Sequence, residues 1–295
     1  MRRQRRRDTW AAYGFLTPAL IFLIALLGWP IVDTAWLSMT QFNFVYDDAP
    51  RFVALANYAG LFADPGFRNA LANTFVFTAL FMPVFLSLSL AAAVAINAVP
   101  RFGDLFRTLI FLPIIVGESV AGVIFTWIFS RDFGLFNQAL GAVGLGGWER
   151  SWVADPNTAL LAIVVVQLWL LCGVGMLIFL SGLRAIPAEL YDAAAVDGAG
   201  PFQTFGLVTL PNLRVHTVLA VVWGLVQAVK IFGVPYVMTH GGPAGATETL
   251  YLYVWRSAFR SFEIGQAASV GYIIALIIMT SAALTYAVGQ SRETA

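Results

Sequence analysis

The sequence predicts an all-α, polytopic membrane protein with six transmembrane helices. Three observations carry this expectation. Of 295 residues, 59% are hydrophobic and only 11% are charged, against about 25% charged in a soluble domain. The charges cluster, leaving six long apolar runs, each near the roughly 20 residues needed to cross the hydrocarbon core. The chain also begins MRRQRRR, five arginines in seven residues, which holds the first span by its cytoplasmic end under the positive-inside rule.

Taken in order, residues 1–12 are a basic cytoplasmic arm. A signal peptide is excluded because the apolar run at 10–29 is too long for an h-region and lacks a small-residue cleavage site. A nucleic-acid-binding arm is out of place directly against a membrane span. Residues 13–68 hold the first span (13–37) and an external loop. Residues 69–290 form a core of five further spans, at 71–95, 108–129, 158–180, 215–237 and 264–288, with a polar loop at 184–214. A cytoplasmic tail follows at 291–295. An even number of spans puts both termini on one side. Ten arginines fall on the inner side (2, 3, 5, 6, 7, 101, 107, 184, 214 and 292) and six on the outer (51, 68, 131, 150, 256 and 260). Without the arm the count is five against six, so orientation rests on the arm and on the polar loop sharing its side.

The same sequence excludes several chemistries. Cys172 is the single cysteine and lies in an apolar run, so there is neither a disulfide framework nor a thiolate metal site. His216 and His240 stand far apart without ligand-like neighbours. No G-x-x-x-x-G-K-[ST] loop and no H-E-x-x-H pair is present, so the chain is not an enzyme and holds no ATP or metal of its own. Gly173 and Gly175 read as small residues that let membrane helices approach closely.

The organising stretch is 187–211, PAELYDAAAVDGAGPFQTFGLVTLP. Pro187 suits the start of a helix, residues 188–196 are good helix formers, Gly198 and Gly200 stop it, and Pro201 opens another. This is a short helix, a tight turn and a second helix, held outside the bilayer between two spans. Asp192-Ala193-Ala194, then Gly198, then Val208-Thr209-Leu210-Pro211 at fixed spacing resembles the EAA loop of ABC-importer permeases, with Asp192 where Glu is usual and Val208 where Ile is usual. The resemblance implies a type I ABC importer permease fold in which this loop is the cytoplasmic coupling helix. Glu189, Asp192, Ala193, Ala194, Gly198, Leu210 and Pro211 then meet a cleft of the ATPase.

Further stretches resemble the carbohydrate branch of that family. They are 52–58 with Asp64-Pro65 and 69–74, then 107–113, 133–137, and Tyr236-Val237-Met238-Thr239-His240-Gly241-Gly242-Pro243 with 247–250. The branch commonly carries Gly where His240 stands. By resemblance, the partners are a second permease subunit in a heterodimer, two ATPase subunits that bind ATP and Mg, and an external solute-binding protein. The substrate is a sugar or polyol, and the membrane is the cytoplasmic one. Nucleic acid is not a partner.

Polar residues at membrane depth are the candidate substrate contacts. A Lys at a helix centre costs about 2.5–3.5 kcal/mol on insertion scales, so Lys230 reads as functional by default. Trp223, Gln227 and Lys230 follow i, i+4, i+7 spacing and share one helical face. Gln167 and Trp169 lie inside the fourth span. An indole face with amides suits a sugar, whose hydroxyls both donate and accept. By resemblance, the family's cavity is lined from the fourth and fifth spans. The alternative is that amides join helices. Cavity lining is preferred for Gln227 and Lys230, both readings stand for Gln167, and Trp169 is read as facing lipid.

Glu118 is the other intramembrane charge. At 1.5 Å per residue it lies roughly 15 Å from the inner end of its span, against roughly 22 Å for Lys230, which disfavours an ion pair. Asp33 falls at the outer end of the first span and reads as interfacial. The rival functions are a secondary transporter or channel, of which no inverted repeat or broken helix is visible, and a membrane-embedded enzyme, which lacks paired catalytic residues.

Overall fold

The structure, a computed structural model, describes residues 2–99 and 102–290, with side chains from residue 13 to residue 287. The orienting arginines of the arm, Arg101 and the 291–295 tail lie outside the described side chains. The chain forms two compact units, one of Met1–Ala63 with Val254–Ile273 and one of Asp64–Tyr253 with Ile274–Ala295.

In the first unit, α1 (Arg2–Leu23) and α2 (Trp29–Ser38) join through a π-helical turn at Ile24–Gly28. Pro30 has no N–H for the carbonyl one turn back, and the helical register slips just before it. The large apolar residues from Tyr13 to Trp36 stay exposed, as a lipid-facing span requires. Strands β1 (Thr40–Gln41) and β2 (Arg51–Phe52) pair antiparallel, and α3 (Ala56–Ala63) follows. The side-chain amide of Asn57 donates to the carbonyls of Ser38 (2.9 Å) and Thr40 (2.7 Å), tying α3 to the end of α2. Asn43 likewise donates to Ser261 O at 3.0 Å and to Glu263 Oε1 at 3.1 Å.

The second unit opens with α4 (Pro65–Asn97). Asp64 caps it, accepting from the Gly66 N–H at 2.8 Å, and Pro65 fills the first helical position, where no N–H is needed. After α5 (Gly103–Phe111), a 3-10 turn at Leu112–Val116 leads into α6 (Glu118–Ile128). Then come α7 (Leu135–Ala142), α8 (Ala159–Ala185), α9 (Ala188–Val196), α10 (Pro201–Thr204), α11 (Leu210–Asn212), α12 (Arg214–Val229) and α13 (Gly233–Met238). Two more helices, α14 (Leu250–Phe259) and α15 (Ile264–Gln290), follow, each divided between the two units at Val254 and Ile274.

Among the described residues, five helices are long and apolar enough to cross a membrane: Tyr13–Ser38, Pro65–Asn97, Ala159–Ala185, Arg214–Met238 and Ile264–Ala287. A sixth is made by Gly103–Val116 and Glu118–Ile128 if these count as one span, bent by 98°. The sequence reading had this third span continuous over 108–129. It breaks because Pro113 brings no N–H to the ladder and Gly117 takes φ +75°, a backbone that glycine alone adopts freely.

The fifth span, expected continuous over 215–237, is also interrupted, at residues 230–232. Pro235 cannot bond the carbonyl of Ile231 four residues earlier.

The core of this unit lies where α4 packs on α8 and α12. Phe77, Phe81 and Phe85 follow i, i+4, i+8 spacing, are fully buried, and stack at 5.6 and 5.2 Å between centroids. Glycines set the approach of α8: a Cβ on Gly175 would lie 2.3 Å from Ser89 Oγ, and one on Gly173 would lie 2.5 Å from Ile110 O. Close approach of this kind supplies the dispersion contact that replaces the hydrophobic effect inside a bilayer.

Candidate functional site

The loop at 187–211 folds as its sequence predicts. Pro187 has ψ 136° and α9 begins immediately after it, with Glu189 in the first turn, where a carboxylate favours the helix dipole. The helix closes on Gly198 at φ +73°. The Ala199 N–H bonds Ala194 O at 2.9 Å and the Gly198 N–H bonds Ala195 O at 3.1 Å, the paired bonds of a Schellman stop. Gln203 Oε1 then accepts from the Gly200 N–H at 3.1 Å, capping α10 from within. A π-helical turn at Phe205–Thr209 passes into α11. Tyr191 and Thr209 share a hydroxyl contact of 3.2 Å that ties the two arms of the loop.

What the loop leaves uncovered is chemically specific. No residue of α9 is buried. Glu189, Asp192, Ala193, Gly198, Leu210 and Pro211 are exposed and Ala194 is half-buried. Beside them Val196 is 86% exposed, Phe202 93% and Leu207 75%. The loop thus presents large apolar side chains next to carboxylates, with no other part of the described chain covering them.

The second candidate constellation surrounds the break in the fifth span, and its members differ in how far they are already engaged. Trp223 packs its ring on Phe85 at 5.7 Å. Gln167 is fully buried, and its Nε2 donates to Glu118 Oε1 at 3.4 Å. Its own Oε1 has no partner among the described residues. Gln227, one turn beyond Trp223 on the same face of α12, is half-buried. Lys230 caps α12 and is exposed. Neither the Gln227 amide nor the Lys230 ammonium bonds to any other described residue. The structure therefore brings Trp223, Gln227 and Lys230 to one stretch of helix and sets Gln167 behind it, engaged with Glu118. Trp169 is partly exposed on α8 with its ring 5.2 Å from Phe125.

Glu118 is the residue whose role the sequence reading missed. It makes no pair with Lys230, and instead its Oε2 accepts from the Gly233 N–H at 2.9 Å. Pro235 was the available signal for the break, since a proline there leaves the carbonyl four residues earlier without a donor. That group, the Ile231 carbonyl, accepts from Thr249 Oγ1 at 3.1 Å.

Two stretches far apart in sequence meet elsewhere in this unit. The side-chain amides of Asn69 and Asn73 donate to Gly245 O at 2.7 and 2.8 Å, and that of Asn73 also to Glu248 O at 3.0 Å. Thr239 and Thr247 share a hydroxyl contact of 2.6 Å. His240 takes φ +52°, the left-handed backbone a glycine adopts without strain.

Comparison with known proteins agrees with this geometry. Residues 56–291 match the family described as binding-protein-dependent transport system inner membrane component. The chain is 35% identical over 269 residues to the probable ABC transporter permease protein YurN of Bacillus subtilis, covering 90% of this chain and 91% of that one. It is 30% identical over 272 residues to the sulfoquinovosyl glycerol transport system permease protein SmoG of Agrobacterium fabrum, covering 92% and 88%. A solved structure of a bacterial alginate ABC transporter, in complex with an alginate pentasaccharide-bound periplasmic protein, contains a chain of the same fold. That match has a TM-score of 0.82 at 19% identity and covers 98% of this chain and 96% of that one.

Proposed function

This chain belongs to the binding-protein-dependent transport system inner membrane component family and is a permease subunit of an ATP-binding-cassette importer, and we propose that its 187–211 loop is the surface through which ATP hydrolysis is felt. One observation carries this reading: α9 has no buried residue, yet it ends in a hydrogen-bonded stop at Gly198, and Val196 at its end and Phe202 beyond it stand almost wholly exposed. An ATPase subunit that covers these side chains removes apolar surface from water and gains about 25 cal/mol per Å² of it. Both termini and this loop then face the cytoplasm.

The remaining parts follow from the same reading. The cargo is a carbohydrate or polyol, a class supported by what SmoG and the alginate transporter are named for. It passes along the face of α12, where the unengaged Gln227 amide and Lys230 ammonium are free to bond hydroxyls. A second permease subunit completes the path. Two ATPase subunits bind ATP and Mg, and an external solute-binding protein delivers the cargo and sets most of the specificity. A secondary transporter would need none of these.

Affinity purification of the tagged permease from its native membrane tests the choice. It should bring down an ATPase, and Phe202→Asp should release that ATPase while the permease still inserts. Recovery of the permease without any nucleotide-hydrolysing partner would return the reading to a gradient-driven carrier.

A further inference from the structure

We propose that Glu118 is a positioning residue that holds the break in the fifth span, and through it the presentation of Lys230 and Gln227. The reasoning begins with the unmet groups. Pro235 leaves the Ile231 carbonyl without its helical donor, and Gly233, as the first residue of α13, has an N–H with no carbonyl one turn back; a free backbone group is costly at membrane depth. Thr249 Oγ1 serves the carbonyl at 3.1 Å. Glu118 Oε2 serves the N–H at 2.9 Å, so a side chain of the broken third span fixes where α13 begins.

Both sides of this contact are shaped for it. Glu118 opens α6 directly after Gly117, whose φ of +75° turns the chain toward α13. At position 233 a Cβ would lie 2.7 Å from both Cβ and Oε2 of Glu118, so only glycine lets the carboxylate reach the backbone. A third element orients the carboxylate. Gln167, fully buried on the uninterrupted α8, donates to Oε1 at 3.4 Å while its own oxygen stays unbonded. An amide left half-satisfied in a core is retained at a cost, and here it aims Glu118.

No described cation joins this cluster. Lys230 stands three residues before Gly233, exposed and without a bond to Glu118. The contact therefore works by reach rather than by net charge: a carbonyl oxygen at the same distance would serve, and a carboxylate one methylene shorter would not. Its consequence for transport rests on the reading of Gln227 and Lys230 as path-lining, whereas the position of Lys230 can be measured without any substrate.

The test uses the whole importer complex in lipid nanodiscs, with Cys172→Ala to remove the native thiol and Lys230→Cys as reporter. The probe is the charged thiol reagent MTSET. Glu118→Gln should keep the labelling rate close to that of the parent. Glu118→Asp and Glu118→Leu should each change it by about fivefold or more, the shift that losing one hydrogen bond produces. Equal rates in all four backgrounds would overturn the proposal. So would Glu118→Asp labelling like the parent while Glu118→Gln departs, because that outcome assigns the effect to charge. If Glu118→Leu does not assemble, the Gln and Asp pair decides alone. Altered labelling, with unaltered cargo uptake by the same Glu118 variants carrying Lys230 in proteoliposomes, would remove the path-lining reading and leave the positioning role standing.

Discussion

At the scale of single residues, the bonds a polar group already makes separate a structural role from a functional one. Gln167, Trp223, Gln227 and Lys230 look alike in sequence, as polar or amphipathic groups at membrane depth. In the fold Gln167 is buried against Glu118 and Trp223 packs its ring on Phe85, while Gln227 and Lys230 keep their bonding capacity. Lys230→Met preserves an apolar stem of similar length and removes only the charge. It should raise the half-saturating cargo concentration by about tenfold, the worth of one hydrogen bond to a charged group, and Gln227→Ala should act in the same direction with a smaller effect. Uptake measured over a range of concentrations in proteoliposomes checks both. Unchanged saturation with weakened subunit assembly would make these residues helix contacts.

At the scale of elements, two glycines show why composition alone does not rank the effect of a mutation. Gly198 ends α9 at φ +73° with nothing within 4 Å of a built Cβ, so Gly198→Ala should cost only the strain of a left-handed residue, about 1 kcal/mol. Gly175 lies inside α8, where a built Cβ would approach Ser89 Oγ to 2.3 Å and Phe85 Cζ to 2.7 Å. Gly175→Ala must push α4 away and should cost about 1–3 kcal/mol. Thermal unfolding of the purified complex should therefore rank Gly175→Ala below Gly198→Ala, whereas ATPase activity should suffer more from a change at Gly198. Equal melting of the two variants would contradict the close packing of α8 on α4.

At the scale of the whole molecule, the proposed seat of the ATPase requires one orientation in the membrane. The coupling-loop reading makes a definite forecast in a Cys172→Ala background. Val143→Cys, 71% exposed between the third and fourth spans, should react with a membrane-impermeant maleimide added to intact cells, and Val196→Cys, 86% exposed on α9, should not. Reaction of Val196→Cys from outside would invert the protein and remove the ATPase from its proposed seat.

The sequence by itself determined the class, the apolar runs and the local form of the 187–211 loop, because each depends on local quantities. Apolar run length measures a membrane crossing, and the helix over 188–196 with its stop at Gly198 follows from propensity and a left-handed turn that neighbouring residues dictate. Only the tertiary structure decided where the third and fifth spans break and what mends them. Pro113, Gly117 and Pro235 are visible in the chain, and each proline says that a backbone carbonyl must lose its helical donor. Which side chain satisfies the groups at a break depends on residues far away in sequence, Glu118 for Gly233 and Thr249 for Ile231. A hydrogen bond is short-ranged in space and indifferent to sequence separation, so the partner exists only once the helices have packed.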